Sequence, residues 1–344
     1  MRLALVGSSL LAASMAVGCV QAPRWGGPMP VRNQHPAQLT VLHMPPARAA
    51  VLDSGAVETR FDAAYTSLWL SGQGPGRTWL MDGEYLRAGP KARIGLGRGL
   101  QFGIELPFAH TSGGFLDDFV IDYHDAFGFP DQGRDVAPRD GFAVRAARNG
   151  TEVWSVTRDS LQLLDVPLIL QWEVLPAGSG RLGLAARGAI ELPTGDDEDG
   201  FGSGELEASC GLVAELHVGG LAFTSHAQHT FAGTPAAARR SGLHFADVTA
   251  IGGGVEAPVT SDLSLLVQTE YETSTLREFG LRATDRDQGM LWIGARWRAT
   301  TRCAIEVGFG EDLIGLVSPD FTAWLGMVVE LGGAADPAPP PSYP

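Results

Sequence analysis

Apolar and polar residues alternate with a period of two along most of this chain. One face of Leu100–His110 carries the apolar side chains Leu100, Phe102, Ile104, Leu106 and Phe108. The opposite face carries Gln101, Gly103, Glu105, Pro107 and Ala109. This spacing predicts a β-strand with one apolar face, and no long helical stretch is available to cover a sheet built from such strands.

The same alternation predicts a series of strands, whose number depends on whether one further hairpin is counted as part of the barrel. They are Val57–Leu70, Thr78–Leu96, Leu100–His110, Leu161–Val174, Arg181–Leu192, Gly204–His217, Leu221–Phe231, His244–Ala257, Asp262–Thr273, Met290–Arg298, Thr301–Gly310 and Phe321–Leu331. The pair Asn149-Gly150 predicts a tight turn in a further hairpin, which would extend above the rim. The pattern therefore predicts an all-β fold, an antiparallel transmembrane β-barrel of about 12 strands, within about 10–14, over residues 51–331.

A soluble β-sandwich would also alternate, and it is the competing interpretation. A sandwich buries large aliphatic side chains inward, whereas the polar faces of these strands repeatedly carry Gly, Glu, Arg and Gln. Lipid outside, a polar lumen inside and complete backbone pairing explain that composition better.

The N-terminus has the features of an export signal. Met1–Gly18 combines a positive start with an apolar, small-residue core. It ends in a sequence that resembles the bacterial lipobox, so Cys19 is the predicted lipid attachment site, with an unlipidated exported form as the alternative. Cleavage after Ala22 is disfavoured because Pro23 follows it. Val20, rather than Asp, after the cysteine would direct a lipoprotein to the outer membrane of a Gram-negative-type bacterium.

Two further segments lack the two-residue period. Residues 19–50 are rich in proline and form a tether, a periplasmic strap or a plug. Residues 332–344 are rich in Gly, Ala and Pro and predict a disordered tail. The net charge of −14 excludes a nucleic-acid binder as the first hypothesis, because such proteins need basic patches. Outer-membrane lipid and an unknown small solute or ion are the expected partners.

Ser112–Asp135 contains the single strongly helical pattern, with Ser112 as its expected start and Gly128 as its expected end. Aromatic side chains recur at every fourth residue, at Phe115, Phe119, Tyr123 and Phe127, while carboxylates lie on another face, at Asp118, Asp122 and Asp125. These residues are candidates for a lid or pore helix that presents carboxylates to the lumen. The alternative is a structural helix that seals one barrel end or lies at the membrane interface.

Other chemistry-bearing residues give weaker signals. Asp196–Gly200 is acidic, but its spacing fails the calcium-loop pattern, so a solvated loop is the expected structure. His226 and His229 fall on opposite faces of one strand and do not form a ready metal pair. Cys210 and Cys303 are expected to face lipid or the wall rather than to form a disulfide.

Some outer-membrane lipid esterases carry a histidine two residues before the serine, and His110 and Ser112 have that spacing. Glu105 lies on the opposite face, so no orienting carboxylate is evident nearby. The sequence assigns no catalytic residue, no metal ligand and no cofactor.

Several stretches resemble a bacterial family of outer-membrane-type proteins known as the domain of unknown function 3187. The resembling stretches are Pro28–Leu39, Asp82–Glu84, Gly103–Asp135 and Ser318–Phe321. The resemblance implies an exported, barrel-like protein and brings no activity, ligand or catalytic residue. A passive channel or small-solute transporter is the favoured function. The alternatives are a structural or assembly lipoprotein of the envelope and a membrane-embedded lipid hydrolase.

Overall fold

A computed structural model of the 344-residue chain describes residues 26–128, 133–178, 180–314, 317–319 and 321–331. The predicted signal peptide, the predicted lipid attachment site Cys19 and the predicted tail after Leu331 lie outside these residues. Lipidation of Cys19 therefore stays a prediction.

The described chain is dominated by strands that run antiparallel to their neighbours. They are β1 (Val57–Gly74), β2 (Arg77–Gly97), β3 (Leu100–Glu105), β4 (Phe108–Ser112), β5 (Ala143–Arg148), β6 (Thr151–Val156), β7 (Leu161–Leu163), β8 (Val166–Leu175), β9 (Gly183–Leu192), β10 (Glu207–Val218), β11 (Leu221–Phe231), β12 (Val248–Pro258), β13 (Leu263–Glu272), β14 (Gln288–Arg298), β15 (Cys303–Ile314) and β16 (Phe321–Leu331).

These strands close into a barrel. Strands β3 and β4 both pair with β2 and are two pieces of one wall strand, interrupted at Leu106 and Pro107. Likewise β7 and β8 pair with β4 and β3 and form the next wall strand. Strand β1 pairs with β2 on one side and with β16 on the other, which completes the ring. The result is a closed antiparallel barrel of 12 strands, and the predicted fold is confirmed.

A hairpin raises one part of the wall. Strand β5 pairs with the first residues of β2, beyond the end of β4, and β6 pairs with β5. Asn149 and Gly150 form the turn with φ values of 51° and 78°. Asn and Gly tolerate such left-handed conformations better than most residues, so the predicted hairpin is confirmed.

The two ends of the barrel differ. The end where β1 begins and β16 ends carries brief connections such as those at residues 98–99, 219–220 and 299–302; we call it the short-turn end. The opposite, long-loop end carries the β5–β6 hairpin and three helices, α2 (Asp117–Phe127), α3 (Ala236–Arg240) and α4 (Arg282–Asp285). A further helix, α1 (Pro36–Leu39), precedes the wall strands. The sequence predicted only one of these helices.

Side chains on the wall follow the two-residue period. Leu212, Ile251 and Leu325 face outward and are more than half exposed, as expected for a surface that contacts lipid. Inward positions carry charged and polar groups that are buried. Among the described residues no helix has the length and apolar character needed to cross a membrane.

An apolar cluster closes the long-loop end. Trp79 stacks on Trp154 with 6.1 Å between ring centroids, and Phe245 contacts Trp154 edge-on at 5.9 Å. The cluster draws on β1, β2, the β5–β6 hairpin, several long loops and α1. This end of the barrel is therefore covered by packed side chains, and residues that precede β1 take part in the packing.

Candidate functional site

The residues that precede β1 fill the lumen. Residues 26–52, which we call the internal segment, are almost all buried. Their hydrogen-bond partners lie on strands around most of the circumference, from β3 and β8 through β10, β11 and β12 to β14. Only a segment inside the ring contacts inward side chains of all these strands. It rises from the short-turn end, turns at α1 and returns to the short-turn end, where β1 begins.

Wall side chains hold the rising limb through its backbone. The Gly27 amide donates to the Glu256 carboxylate at 2.9 Å. The Met29 amide donates to Oε1 of Gln268 at 2.6 Å, and Nε2 of Gln268 donates back to the Met29 carbonyl at 3.1 Å. The side-chain amide of Gln268 thus forms both hydrogen bonds that a neighbouring strand would offer to Met29. The backbone amide and carbonyl of Met29 are therefore paired although the limb does not join the sheet.

The turn at α1 is fixed by its own side chains. Gln38 accepts from the Thr275 amide at 2.8 Å and donates to the Thr273 carbonyl at 3.1 Å. The His35 ring stacks on Trp79 with 5.5 Å between centroids. These contacts connect the tip of the internal segment to the apolar cluster at the long-loop end.

The returning limb is held by carboxylates of β10 and by an amide of β11. The Leu42 amide donates to Glu207 at 2.6 Å, and the Met44 amide donates to Gln228 at 2.8 Å. Closer to β1, Glu215 accepts from the Ala49 amide and pairs with Arg48, each at 2.9 Å. The internal segment is therefore bound to the wall along its whole length.

Inward glycines make room for this segment. A Cβ at Gly308 would lie 3.0 Å from the Met29 sulfur, and one at Gly294 would lie 2.5 Å from it. A Cβ at Gly211 would lie 3.1 Å from the terminal methyl of Met44. The absence of side chains at these wall positions lets both methionines sit against the backbone of the barrel.

Alternating charges line the lumen beside the rising limb. Consecutive ion pairs join Glu256 to Arg296, Arg296 to Glu306, Glu306 to Arg60, Arg60 to Asp62, Asp62 to Lys91 and Lys91 to Glu105, all at 2.6–3.2 Å. We call this series the charge ladder. It runs from β12 through β14 and β15 to β1, β2 and β3, and Arg296 also donates to the Gly27 carbonyl at 2.7 Å. The ladder thus connects the wall to the internal segment.

A cleft that opens to solvent lies between the two limbs and the wall. Its charged lining consists of five cations and two carboxylates: Arg48, Arg60, Lys91, Arg93, Arg187, Glu58 and Glu105. Arg187 donates to the Pro45 carbonyl at 2.7 Å, and among the described residues it has no carboxylate within ion-pair distance. Each of the other four cations pairs with an acid, Arg48 with Glu215, Arg60 with Glu306, Lys91 with Glu105 and Arg93 with Glu58, so within the described chain Arg187 is the lining cation that lacks one.

Helix α2 lies on the outside of the wall. Its predicted end is right, because Gly128 adopts a left-handed conformation with φ of 75° and donates to the His124 carbonyl. Its predicted start is wrong: Ser112 is the last residue of β4, and the helix begins at Asp117. The Gly113-Gly114 pair after Ser112 leads the chain away from the strand.

The aromatic stripe of α2 packs on outward aromatic residues of the barrel. Phe119 and Tyr123 contact Phe321 edge-on at 5.4 and 5.9 Å. Tyr123 also contacts Phe309 and Phe127, while Phe115 stacks on Tyr65. Partial burial and the neighbouring Glu311 raise the pKa of Tyr123 to about 12, so its phenol stays neutral.

The carboxylates of α2 point away from the lumen. Asp118 is 86% exposed and pairs with Arg139 at 2.9 Å, while Asp122 and Asp125 are exposed. The hydroxyl of Ser67, on the outward face of β1, accepts from Arg134, which also pairs with Asp117. The lid or pore role of this helix stays a prediction, and the packing favours the alternative of a structural helix at the membrane interface.

The weaker candidates occupy separate places. His110 and Ser112 are both on the outward side of β4, and among the described residues neither a hydrogen bond between them nor a carboxylate on His110 is present. Within the acidic loop, Asp196 accepts from the amides of Glu198 and Asp199. Cys210 and Cys303 are both free.

Histidine 226 faces inward and meets a residue that the sequence did not suggest as its neighbour. Its Nε2 lies 2.7 Å from one oxygen of Glu270, and Nε2 of His43, on the returning limb, lies 3.0 Å from the other oxygen. His43 belongs to a stretch without periodicity, so no sequence pattern indicated that it approaches β11 and β13.

Comparison with known proteins supports the fold. The family model DUF3187, described as a protein of unknown function, matches residues 9–330. The outer membrane channel COG4313 from Pseudomonas putida F1 is similar in structure, with a TM-score of 0.55 and 12% identity over 84% of this chain and 100% of that chain. The NanC porin gives a TM-score of 0.43 and 9% identity over 80% and 100% of the two chains. A search of curated proteins finds no match.

Proposed function

The chain belongs to the DUF3187 family of proteins of unknown function, and we propose that it is an outer-membrane channel for small charged solutes that its own internal segment holds closed. The observation that carries this proposal is the manner in which that segment is held. It crosses the lumen twice and is bound by wall side chains rather than by the sheet.

Water can replace the hydrogen bonds that hold the internal segment to the wall. A hydrogen bond between a carboxylate and a backbone amide contributes roughly 1.5–3 kcal/mol when it replaces contacts with water. A hydrated lumen would offer substitutes for each bond that Glu256, Gln268 and Glu215 make to the internal segment. A barrel with a purely structural role would be expected to fill its interior with apolar side chains, whereas the interior of this barrel contains the charge ladder.

The cleft indicates the class of solute. Four of its five cations are balanced by ion pairs with acids, which leaves the charge of Arg187 to attract an anion. Arg187 has the strongest claim to contact a solute, because its guanidinium faces the cleft without a carboxylate partner among the described residues. We therefore propose small anions as the transported class, although the net charge of the whole chain is −14.

The two faces of the barrel wall support an outer-membrane location. A closed ring with an apolar outer face and a polar interior is suited to a bilayer. The similar fold of an outer membrane channel from Pseudomonas putida F1 is consistent with this location and with this function.

Removal of the internal segment tests the proposal. We would join Gly27 to Ala49 and so delete residues 28–48, then compare single-channel conductance of the deletion variant and the full chain in planar bilayers. The full chain is expected to be mostly closed. The deletion variant is expected to conduct steadily, because the lumen is then hydrated while the wall is unchanged, and the sign of its reversal potential in a salt gradient tests the preference for anions.

A folded barrel must be verified before conductance is compared. Faster migration of the unheated than of the boiled sample on a detergent gel reports a closed barrel. As a matched control, Glu152→Gln alters an exposed residue of the β5–β6 hairpin and is expected to leave conductance at the level of the full chain. A deletion variant that is folded and silent would overturn the channel and favour a structural envelope protein. Ester hydrolysis that Ser112→Ala abolishes would favour the lipid hydrolase instead.

A further inference from the structure

The strongest unassigned cluster of ligating side chains lies where the returning limb meets β13. Imidazole and carboxylate atoms of His43, Glu270 and Glu272 all lie within 4.8 Å of one another, and all three residues are buried. We propose that these residues bind a divalent transition-metal ion of the zinc class, which would join the internal segment to the wall.

The positions of the three residues suit this role. Glu270 and Glu272 are two apart on β13, so both project from the inward face of the strand. His43 approaches them from the internal segment, and its Nε2 lies 3.0 Å from Oε1 of Glu270. Zinc binds imidazole nitrogen and carboxylate oxygen at about 2.0–2.2 Å, which separates neighbouring ligand atoms by roughly 3 Å. A small adjustment of side chains would therefore complete the ligand set.

An unpartnered atom points to a missing cation. Oε1 of Glu272 is buried and has no hydrogen-bond partner among the described residues, and only 3% of this residue is exposed. A buried carboxylate oxygen without a partner is costly. A divalent ion would satisfy this oxygen and offset the repulsion between the two neighbouring carboxylates.

A second histidine supports the site from outside. Nε2 of His226 lies 2.7 Å from Oε2 of Glu270, the oxygen that His43 does not contact. Ligating carboxylates are commonly held by such hydrogen bonds, and loss of one typically weakens metal binding 10–100-fold. His226 is therefore a positioning residue in this proposal, and His43, Glu270 and Glu272 are the ligands.

Metal binding to the intact barrel in detergent tests the proposal. The full chain would be stripped with a chelator, titrated with zinc by calorimetry and analysed for bound metal after gel filtration. One zinc ion per chain is expected. Binding of Co²⁺ should add visible absorption bands that excess zinc removes. His226→Ala should weaken zinc binding 10–100-fold without abolishing it.

The ligand variants separate a metal site from a hydrogen-bonded contact. Glu272→Gln keeps the size of the side chain, removes its charge and is expected to abolish stoichiometric binding. The matched control is His229→Ala, which removes a histidine on the outer face of β11 and should bind zinc as the full chain does. His43→Ala should lose binding while the barrel still migrates as a folded species.

Two outcomes overturn the proposal. One is a chelated full chain that takes up no zinc and gives no cobalt spectrum. In that case the buried Arg32, which approaches Glu270 and Glu272 from the same internal segment, is the cation that balances them. The other is binding that survives Glu272→Gln and His43→Ala together, because the metal would then lie elsewhere. Neither outcome depends on whether the barrel conducts.

Discussion

The buried charges of the charge ladder stabilise one another as members of a series. Glu306 is fully buried and contacts Arg60 and Arg296, each at 2.6 Å. Each arginine also reaches a second acid, Arg60 to Asp62 and Arg296 to Glu256. Because desolvation of an ion is expensive, loss of one member leaves its neighbours buried with incomplete pairing.

Glu306→Gln is accordingly expected to lower the free energy of unfolding by about 3 kcal/mol, the lower limit for breaking a buried pair, since both arginines retain another acid. Reversible urea unfolding in detergent or lipid measures this change. The control is Glu330→Gln near the exposed end of β16, which should alter the same quantity by less than about 0.5 kcal/mol. An equal effect of the two substitutions would mean that water screens the charge ladder.

At the scale of elements, helix α2 illustrates how packing decides the side on which an amphipathic pattern lies. The stripe of Phe119, Tyr123 and Phe127 meets outward aromatic residues of β15 and β16. Both Phe119 and Phe127 keep large exposed fractions, 49% and 69%. Aromatic side chains that are partly exposed beside a lipid-facing wall are typical of the membrane interface.

Because α2 lies outside the wall, its aspartates are not expected to affect ion selectivity. In the variant that lacks residues 28–48, replacement of Asp118, Asp122 and Asp125 by Asn should leave the reversal potential in a salt gradient unchanged. Arg187→Gln in the same background should move it towards cation preference, because that residue faces the cleft. A shift caused by the aspartate substitutions would restore the predicted pore role of the helix.

The sequence predicts the strands of the wall, but it does not predict which residues fill the lumen. The two-residue period predicts strands such as β8 and β13 because outward side chains meet lipid and inward side chains meet a polar lumen. The pattern is local, so it can be recognised without knowing which strands pair. Residues 26–52 have no period, and their partners lie far away in the chain, as with Met44 and Gln228. The pattern therefore favoured a tether or a strap over a plug, although the described part of the segment lies in the lumen. For the same reason the contact between His43 and Glu270 had no signal.

At the scale of the whole molecule, the two ends of the barrel have different architectures. Outer-membrane barrels carry short turns on the periplasmic side and long loops outside the cell. By this rule we expect the internal segment to begin and end at the periplasmic side, and the apolar cluster and the β5–β6 hairpin to face outward from the cell.

Epitope insertion tests this orientation. A tag between Asn149 and Gly150, in the exposed turn of the hairpin, should bind antibody on intact cells. The same tag between Gly219 and Gly220, at the short-turn end, should bind antibody only after the outer membrane is permeabilised. Labelling of the second variant on intact cells, without labelling of the first, would reverse the orientation.

The return of the internal segment to its starting end has a topological consequence. A chain that entered one mouth and left by the other would be threaded, and its release would require a free terminus to pass through the ring. This segment forms a loop that doubles back at Pro36–Leu39, so it is not linked with the ring of strands. The ring can close first and receive the loop afterwards, and the loop can withdraw without passing a terminus through the ring.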